Sequence, residues 1–216
     1  MKRDFAVIIP AQESNQYHEK GDLAPFGSTT LLEWKIAQCK EFVKEEQIYI
    51  CANSFNIKQI SIDCKVNFIQ RIADENYTSV IFNALNQISS EDIILTHCTS
   101  PFINKNIYSQ MHSTFIEKEL NFLVATRKIK EYAYYHNYLL EYPAKCFTRE
   151  QLEPIYIITN GCFIFNKSQA LKEKNFIPSK ARIFEIGQFA SLEIKDMNDY
   201  VLARELISIY FEKDIS

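Results

Sequence analysis

Three stretches of the 216-residue chain place polar and charged side chains where an α/β protein does its chemistry. Val7-Ile-Ile-Pro-Ala11 has the form of a strand leading into a phosphate-binding turn. Where glycines would let backbone N–H groups close on a phosphate, however, the chain continues Gln12-Glu-Ser-Asn-Gln-Tyr-His-Glu19 before reaching Lys20 and Gly21. Thr96-His-Cys-Thr-Ser-Pro101 follows an apolar run and contains His97, a side chain that titrates near neutral pH and is suited to a ligand contact, a proton transfer or a purely structural hydrogen bond. Glu193-Ile-Lys-Asp-Met-Asn-Asp199 gathers three carboxylates and the ammonium of Lys195. Asn160-Gly161 reads as a hairpin turn between two apolar runs, or as a polar contact at a strand end. Cys98 has no basic partner nearby in sequence and is a poor nucleophile.

These loops need a scaffold, and the hydrophobic pattern supplies one. Phe5–Ile9, Gln47–Ala52, Asn67–Gln70 and Asp92–Thr96 read as strands; Leu31–Val43 and Thr78–Ile88 have apolar residues at helical spacing, and Ile57–Ile62 reads as a short helix or turn. Alternation at this spacing predicts a mainly parallel sheet covered on both faces. In the second half, 106–118 reads as a helix, 121–127 as a strand, 155–159 and 162–165 as strands around Asn160-Gly161, 168–174 as a short helix, 191–194 as a last strand and 197–211 as a closing helix. The tyrosine-rich stretch 132–142 has a period near two and fits an extended arm or hairpin, its rings serving as ordinary sheet residues or as an interface to a second subunit. In such a sheet, ligands collect outside the carboxyl ends of the strands, where the three polar loops fall.

Composition narrows the function. A net charge of -3 and a pI near 5.9 give no basic field for nucleic acid. Six cysteines without a CxxC pair argue against a zinc ribbon or a disulfide scaffold and for reduced thiols. The apolar run Phe5–Ile9 is too short for a signal-peptide core, and no stretch approaches a membrane span, so a cytoplasmic protein is expected. One domain over 1–216 is expected, with an arm at about 130–155 for dimerisation.

Taken in order, Ile9-Pro-Ala11, Leu31-Leu-Glu-Trp-Lys-Ile36, Arg71-Ile-Ala-Asp74 with Ser79-Val80, Asp92–Leu95 before Thr99-Ser-Pro101, Asn160-Gly161, and Ser191–Ile194 before Asp199-Tyr200 resemble the acylneuraminate cytidylyltransferases, the CMP-sugar synthetases. The resemblance spans nearly the whole chain. It implies a three-layer nucleotidyltransferase (Rossmann-like) fold and transfer of CMP from CTP to an acidic sugar with release of pyrophosphate, assisted by Mg2+ or Mn2+, in a homodimer. The nucleotide would lie against Pro10, Ala11, Gln12, Asn15, Lys20, Arg71 and Ser79; Arg71 and the helix N-terminus at Ser79 would form a clamp without a glycine fingerprint. The acceptor would meet His97, Thr99, Ser100 and Asn160. Glu193 and Asp196 would hold the metal, with Lys20, Glu193 and Lys195 as catalytic groups and Asp199 as a helix cap.

The chain also departs from the family pattern, similar to IPARGGSKxxPxKN and SIDIDxxxD. Gln12 replaces the arginine, Glu13 and Ser14 replace glycines, Gly21 replaces the lysine, and Lys195 replaces an aspartate. Lys20, one residue early, serves as the phosphate cation or is a solvated lysine. Two other readings follow from these changes: a binding or regulatory subunit that has lost catalysis, and a glycosyltransferase of related fold, which would need a DxD pair that no strand precedes here.

Overall fold

Apolar side chains run almost without a break along the central strands, so these strands bury both faces and the sheet must be covered on both sides. The computed structural model describes residues 5–72, 75–140 and 148–213, with side chains of the closing helix described to Ile207. In chain order the elements are β1 (Phe5–Pro10), β2 (Pro25–Phe26), β3 (Thr29–Thr30), α1 (Leu31–Lys40), β4 (Ile48–Ala52), α2 (Phe55–Asp63), β5 (Asn67–Gln70), α3 (Tyr77–Leu85), β6 (Asp92–Leu95), α4 (Lys105–Glu117), β7 (Phe122–Ile129), β8 (Tyr134–Tyr135), β9 (Tyr138–Leu139), β10 (Ile155–Asn166), α5 (Lys167–Glu173), β11 (Arg182–Glu185) and α6 (Met197–Lys213). Seven strands form one sheet in the order β11-β7-β10-β6-β1-β4-β5, and β10 alone runs against its neighbours. The expected mainly parallel α/β sheet is present.

Val7, Ile9, Ile50 and Ile94 pack under α1, α4 and α6 through residues such as Leu32, Ile36, Met111, Phe115 and Ala203. Ala6, Ile8, Ile93 and Leu95 face the other way, onto Val80, Ile81, Ala84 and Leu85 of α3 and Ala170 of α5. The helices begin where their caps allow. Thr30 and Glu33 form a reciprocal capping box at α1, Ser54 caps α2, and Asn76 caps α3 by accepting from the Ser79 N–H at 2.9 Å.

Three sequence expectations are corrected. Asn160-Gly161 is not a hairpin turn, because 155–166 is one continuous strand with an irregularity between Ile158 and Phe163. Gly161 is required by close approach, since a Cβ there would strike Ile103 Cδ1. Residues 191–194 are not a strand; the Ile194 N–H donates instead to the Thr99 carbonyl at 2.8 Å. The last strand of the sheet is β11, parallel to β7, which the apolar pattern missed because its residues are exposed or half-buried at the sheet edge.

The tyrosine-rich stretch forms the β8–β9 hairpin, turned by His136 and Asn137 at positive φ. Of the expected arm over about 130–155, residues 141–147 lie outside the described residues, as do Cys146 and the Ala73-Asp74 pair after Arg71 and Ile72.

Candidate active site

The sheet order turns outward from β1 in both directions, to β4 and β5 on one side and to β6 on the other. The crevice at the carboxyl ends of β1 and β6 is therefore the topological switch point where ligands settle. The loop after β1 and the loop after β6 form its two sides.

The first loop is closed by a residue that sequence reading passed over. Asp22 is 5% exposed; its Oδ1 accepts from the Tyr17 hydroxyl at 2.6 Å and its Oδ2 from the Gln12 N–H at 2.7 Å, while its own N–H donates to the Gln12 carbonyl at 2.8 Å. Burial pushes its carboxyl up to about 6 despite these donors. Gly21 has φ +48°, and a side chain there would run into Gln12 O and, at 2.8 Å, Ser14 N, so a lysine at this position would not fit the loop. Lys20, beside it, is exposed, with its N–H on His18 Nδ1 at 3.0 Å.

Glu13 turns away from the crevice. Its carboxylate accepts from the Ser54 hydroxyl and, at 2.5 Å, from the Asn56 amide at the start of α2, and these two bonds hold it below the usual carboxylate range. Among the described residues nothing accepts from the N–H groups of Glu13 and Ser14, so the loop keeps main-chain donors although its arginine and glycines are gone. Pro10 and Ala11 are buried beneath, Gln12 is exposed, and the Asn15 side chain is turned on its own loop, accepting from the Gln16 N–H at 2.9 Å.

Across the crevice, a run of contacts joins segments far apart in sequence. Lys195 Nζ lies 3.7 Å from Glu193 Oε2; Glu193 Oε1 accepts from the Asn160 amide; the Asn160 carbonyl accepts from His97 Nδ1 at 2.8 Å; and His97 Nε2 meets the Tyr77 hydroxyl at the start of α3. The carbonyl on Nδ1 fixes the tautomer: Nδ1 carries the proton, Nε2 is a bare acceptor, and the Tyr77 hydroxyl donates to it. Burial, and secondarily the charge of Lys35, hold His97 down to about 4 against the opposing pull of the Asn160 carbonyl, so the imidazole is neutral at pH 7. Tyr77, not anticipated from sequence, thus occupies the nitrogen that a ligand or proton would need.

Arg71 follows β5 at the same rim, its N–H on the Ala52 carbonyl at 2.9 Å, and its buried Nε has no acceptor among the described residues. Ser79 is half-buried in the first turn of α3. Glu193, Asn160, His97, Tyr77 and Arg71 therefore share one rim of the sheet.

Two expected roles do not match the placements. Ser100 is 1% exposed, with its hydroxyl inside the protein, so in this conformation it cannot reach a ligand; Thr99 remains half-buried at the surface. Asp196 and Asp199 cap α6 reciprocally: Asp196 Oδ1 accepts from the Asn198 and Asp199 N–H groups at 2.8 and 3.0 Å, and Asp199 Oδ2 from those of Lys195 and Asp196 at 3.0 and 3.3 Å. No group of three His, Cys, Asp or Glu side chains able to hold a metal ion occurs among the described residues.

No protein-family model matches the chain. It is similar to the pseudaminic acid cytidylyltransferase of Campylobacter jejuni, 23% identical over 225 aligned residues that cover 95% of this chain and 97% of that one. Among solved structures it is similar to CMP:2-keto-3-deoxy-manno-octonic acid synthetase complexed with CTP, with a TM-score of 0.75 at 10% identity over 95% of this chain and 99% of the other. It also matches 4-diphosphocytidyl-2C-methyl-D-erythritol synthase from Anaerococcus prevotii, with a TM-score of 0.70 at 15% identity over 94% and 98% of the two chains. At 23% identity or less over 95% of its length, and with a shared fold, the chain is similar to cytidylyltransferases along its whole described core.

Proposed function

We propose that the protein transfers CMP from CTP to an acidic sugar, releasing pyrophosphate. The observation that supports this reading is the run of contacts joining Glu193, Asn160 and His97 beside the switch point, with the loop that bears Glu193 tied to the Thr99 carbonyl and Arg71 at the same rim of the sheet. The acceptor oxygen attacks the α-phosphorus, the α–β bridging bond breaks, pyrophosphate leaves with the bonding electrons, and the acceptor proton passes to solvent. The chain's contribution is to position both substrates and balance charge. Main-chain N–H groups of the first loop, Lys20, Arg71 and the N-terminus of α3 at Ser79 would receive the nucleotide; Asn160, His97 and Thr99 would receive the acceptor.

For the expected Mg2+ or Mn2+ the fit is partial. Magnesium is commonly held by one or two carboxylates together with substrate phosphates, and Glu193, whose side chain is 11% exposed beside Asn160, suits a single ligand. Asp196 does not, being committed to α6. The ion would neutralise charge on the triphosphate, and Lys195 adds a second positive charge at the same place.

A homodimer fits the exposed apolar surface around the hairpin, where Tyr134, Tyr135 and Tyr138 are 73, 68 and 79% exposed and Ile157 and Ile158 lie open. No described helix is long and apolar enough to cross a membrane, and five described cysteines are free, which suits a cytoplasmic setting.

The test is pyrophosphate release from CTP and the other nucleoside triphosphates against a panel of acidic nine- and eight-carbon keto sugars, with Mg2+ or Mn2+. Release with CTP and one of these sugars is expected; silence across the panel rejects the reading.

A further inference from the structure

Behind the loop after β6 lies a lysine that the proposed chemistry does not use. Lys35 of α1 is 0% exposed, at a position in the apolar stripe that Leu31, Leu32, Ile36 and Cys39 otherwise fill. Its Nζ donates to the Ser100 carbonyl at 2.8 Å and to the Tyr108 hydroxyl of α4 at 3.1 Å. Thr96 Oγ1 lies 2.7 Å from that hydroxyl and donates to the Gly161 carbonyl at 2.6 Å, so the donors run in one direction: ammonium to Tyr108, Tyr108 to Thr96, Thr96 to Gly161. The chain ends in the peptide next to Asn160, whose carbonyl holds His97.

No described carboxylate pairs with this ammonium. The titratable groups facing it are the thiols of Cys39 on α1, Cys98 on the loop and Cys162 on β10, together with Tyr108 and the neutral imidazole of His97; burial keeps the thiols and Tyr108 protonated and neutral, and Cys98 interacts with both Lys35 and Asp22. A buried cation held only by neutral partners costs stability that a methionine would not, and burial holds Lys35 down to about 8. A side chain that is costly for the fold and aimed at the rim of the crevice is explained by what it does there.

We infer that Lys35 is a positioning residue of this cleft, which fixes the Ser100 turn and the Asn160–Gly161 segment from beneath and, while protonated, gives the rim a positive potential for an anionic ligand such as a nucleoside triphosphate. It supplies from the interior part of what the guanidinium missing at position 12 would have supplied from the surface. The choice of ligand rests on the cytidylyltransferase reading; the hold on Asn160 and His97 does not.

The test uses Lys35→Met in the full chain. Because methionine leaves the buried Ser100 carbonyl without its donor, the thermal midpoint of the variant is measured first and binding is read well below it, where the variant is folded. In an NMR titration without ligand, the His97 pKa is expected to rise once the neighbouring cation is gone; an unchanged value shows that the Lys35 charge does not reach this rim and overturns the electrostatic role whether or not the protein turns over. By calorimetry, the variant is expected to bind CTP about tenfold more weakly. It should also lack the fall in CTP affinity expected of the unmodified protein as pH passes about 8 and Lys35 loses its proton. Equal CTP affinity at all pH values overturns the electrostatic role. Thr96→Val keeps the charge but cuts the link to Gly161: its His97 titration is expected to shift as the Asn160 carbonyl loses its fixed place, an unchanged titration overturning the positioning role, while its CTP affinity stays closer to the original than that of Lys35→Met. If it weakens CTP as much as Lys35→Met does, the charge is not the agent. CTP binding without pyrophosphate release would end the proposed function and leave the Lys35 inference standing; no CTP binding by the unmodified protein would end the electrostatic role along with that function.

Discussion

The loop after β1 and the loop after β6 face each other across the switch point, and each is fastened by a buried ionisable side chain of opposite sign. Asp22 belongs to the loop that it fastens: two of its acceptor bonds and its own N–H close residues 12 to 22 on themselves. Lys35 comes from a helix beneath, and its bonds pass through Tyr108 and Thr96 to a third segment, the Asn160–Gly161 part of β10. The first arrangement stabilises one loop and can do so whatever the loop's surface residues become. The second ties three segments together and so depends on the side chains between them. This difference explains how the first loop keeps its path with Gln12, Glu13 and Ser14 where the motif it resembles has an arginine and glycines, while the proposed chemistry lies on the other side, around Asn160, His97 and Glu193.

Removing the two fasteners should therefore have unlike effects. Asp22→Ala strands the Tyr17 hydroxyl and the Gln12 N–H without an acceptor, and is expected to lower unfolding free energy by about 3 kcal/mol, read by urea denaturation. The same group has a pH signature. Its carboxyl titrates at about 6 in the fold, above the ordinary 3.8, so the folded state binds the extra proton between these values. The stability it contributes is complete below the unfolded value and is lost as pH rises through about 6. Asp22→Asn is expected to abolish that slope. A loss under 1 kcal/mol in Asp22→Ala, or an unchanged slope in Asp22→Asn, would mean that the first loop is not fastened by this carboxylate and that the comparison fails.

How much of this was readable beforehand differs between the two sides. The strands and helices of the first half were legible because each carries a run or stripe of apolar residues with the right period, as in Val80, Ile81, Ala84 and Leu85 of α3. Residues 191–194 misled because a short apolar stretch bonded to one loop carbonyl reads like a strand, and Asn160-Gly161 misled because its local signal is that of a turn. Asp22 and Tyr77 gave no signal, since a single polar residue in a loop does not announce a partner. Lys35 did give one: a charge on the buried stripe of α1, between Leu31, Leu32 and Cys39, contradicts the helix pattern and deserved a reason.

A smaller effect is expected on the second side if one charge is removed with its shape kept. Glu193→Gln can still accept from the Asn160 amide but leaves Lys195 without its partner and gives a divalent ion a neutral oxygen. Turnover is expected to fall about a hundredfold at saturating CTP and Mg2+, with CTP affinity changed far less, as steady-state kinetics would show. An equal fall in CTP affinity alone, with kcat intact, would move Glu193 from the reacting centre to simple binding.

The smallest effect belongs to the residue that seemed most hostile to phosphate. Glu13 would repel a triphosphate if its carboxylate faced the crevice, yet Ser54 and Asn56 draw it onto the N-terminus of α2, where the helix dipole favours a negative charge. Glu13→Gln is therefore expected to change stability by no more than about 0.5 kcal/mol, the exposed carboxylate being largely screened by water. Because the carboxyl sits below its ordinary value, its small contribution is present above the unfolded pKa and disappears as pH falls through the folded one. CTP affinity, followed by calorimetry, should improve by less than about threefold. A gain of a decade or more would show that the carboxylate swings back toward the phosphates when they arrive, and that the first loop has given up part of its binding strength as well as its arginine.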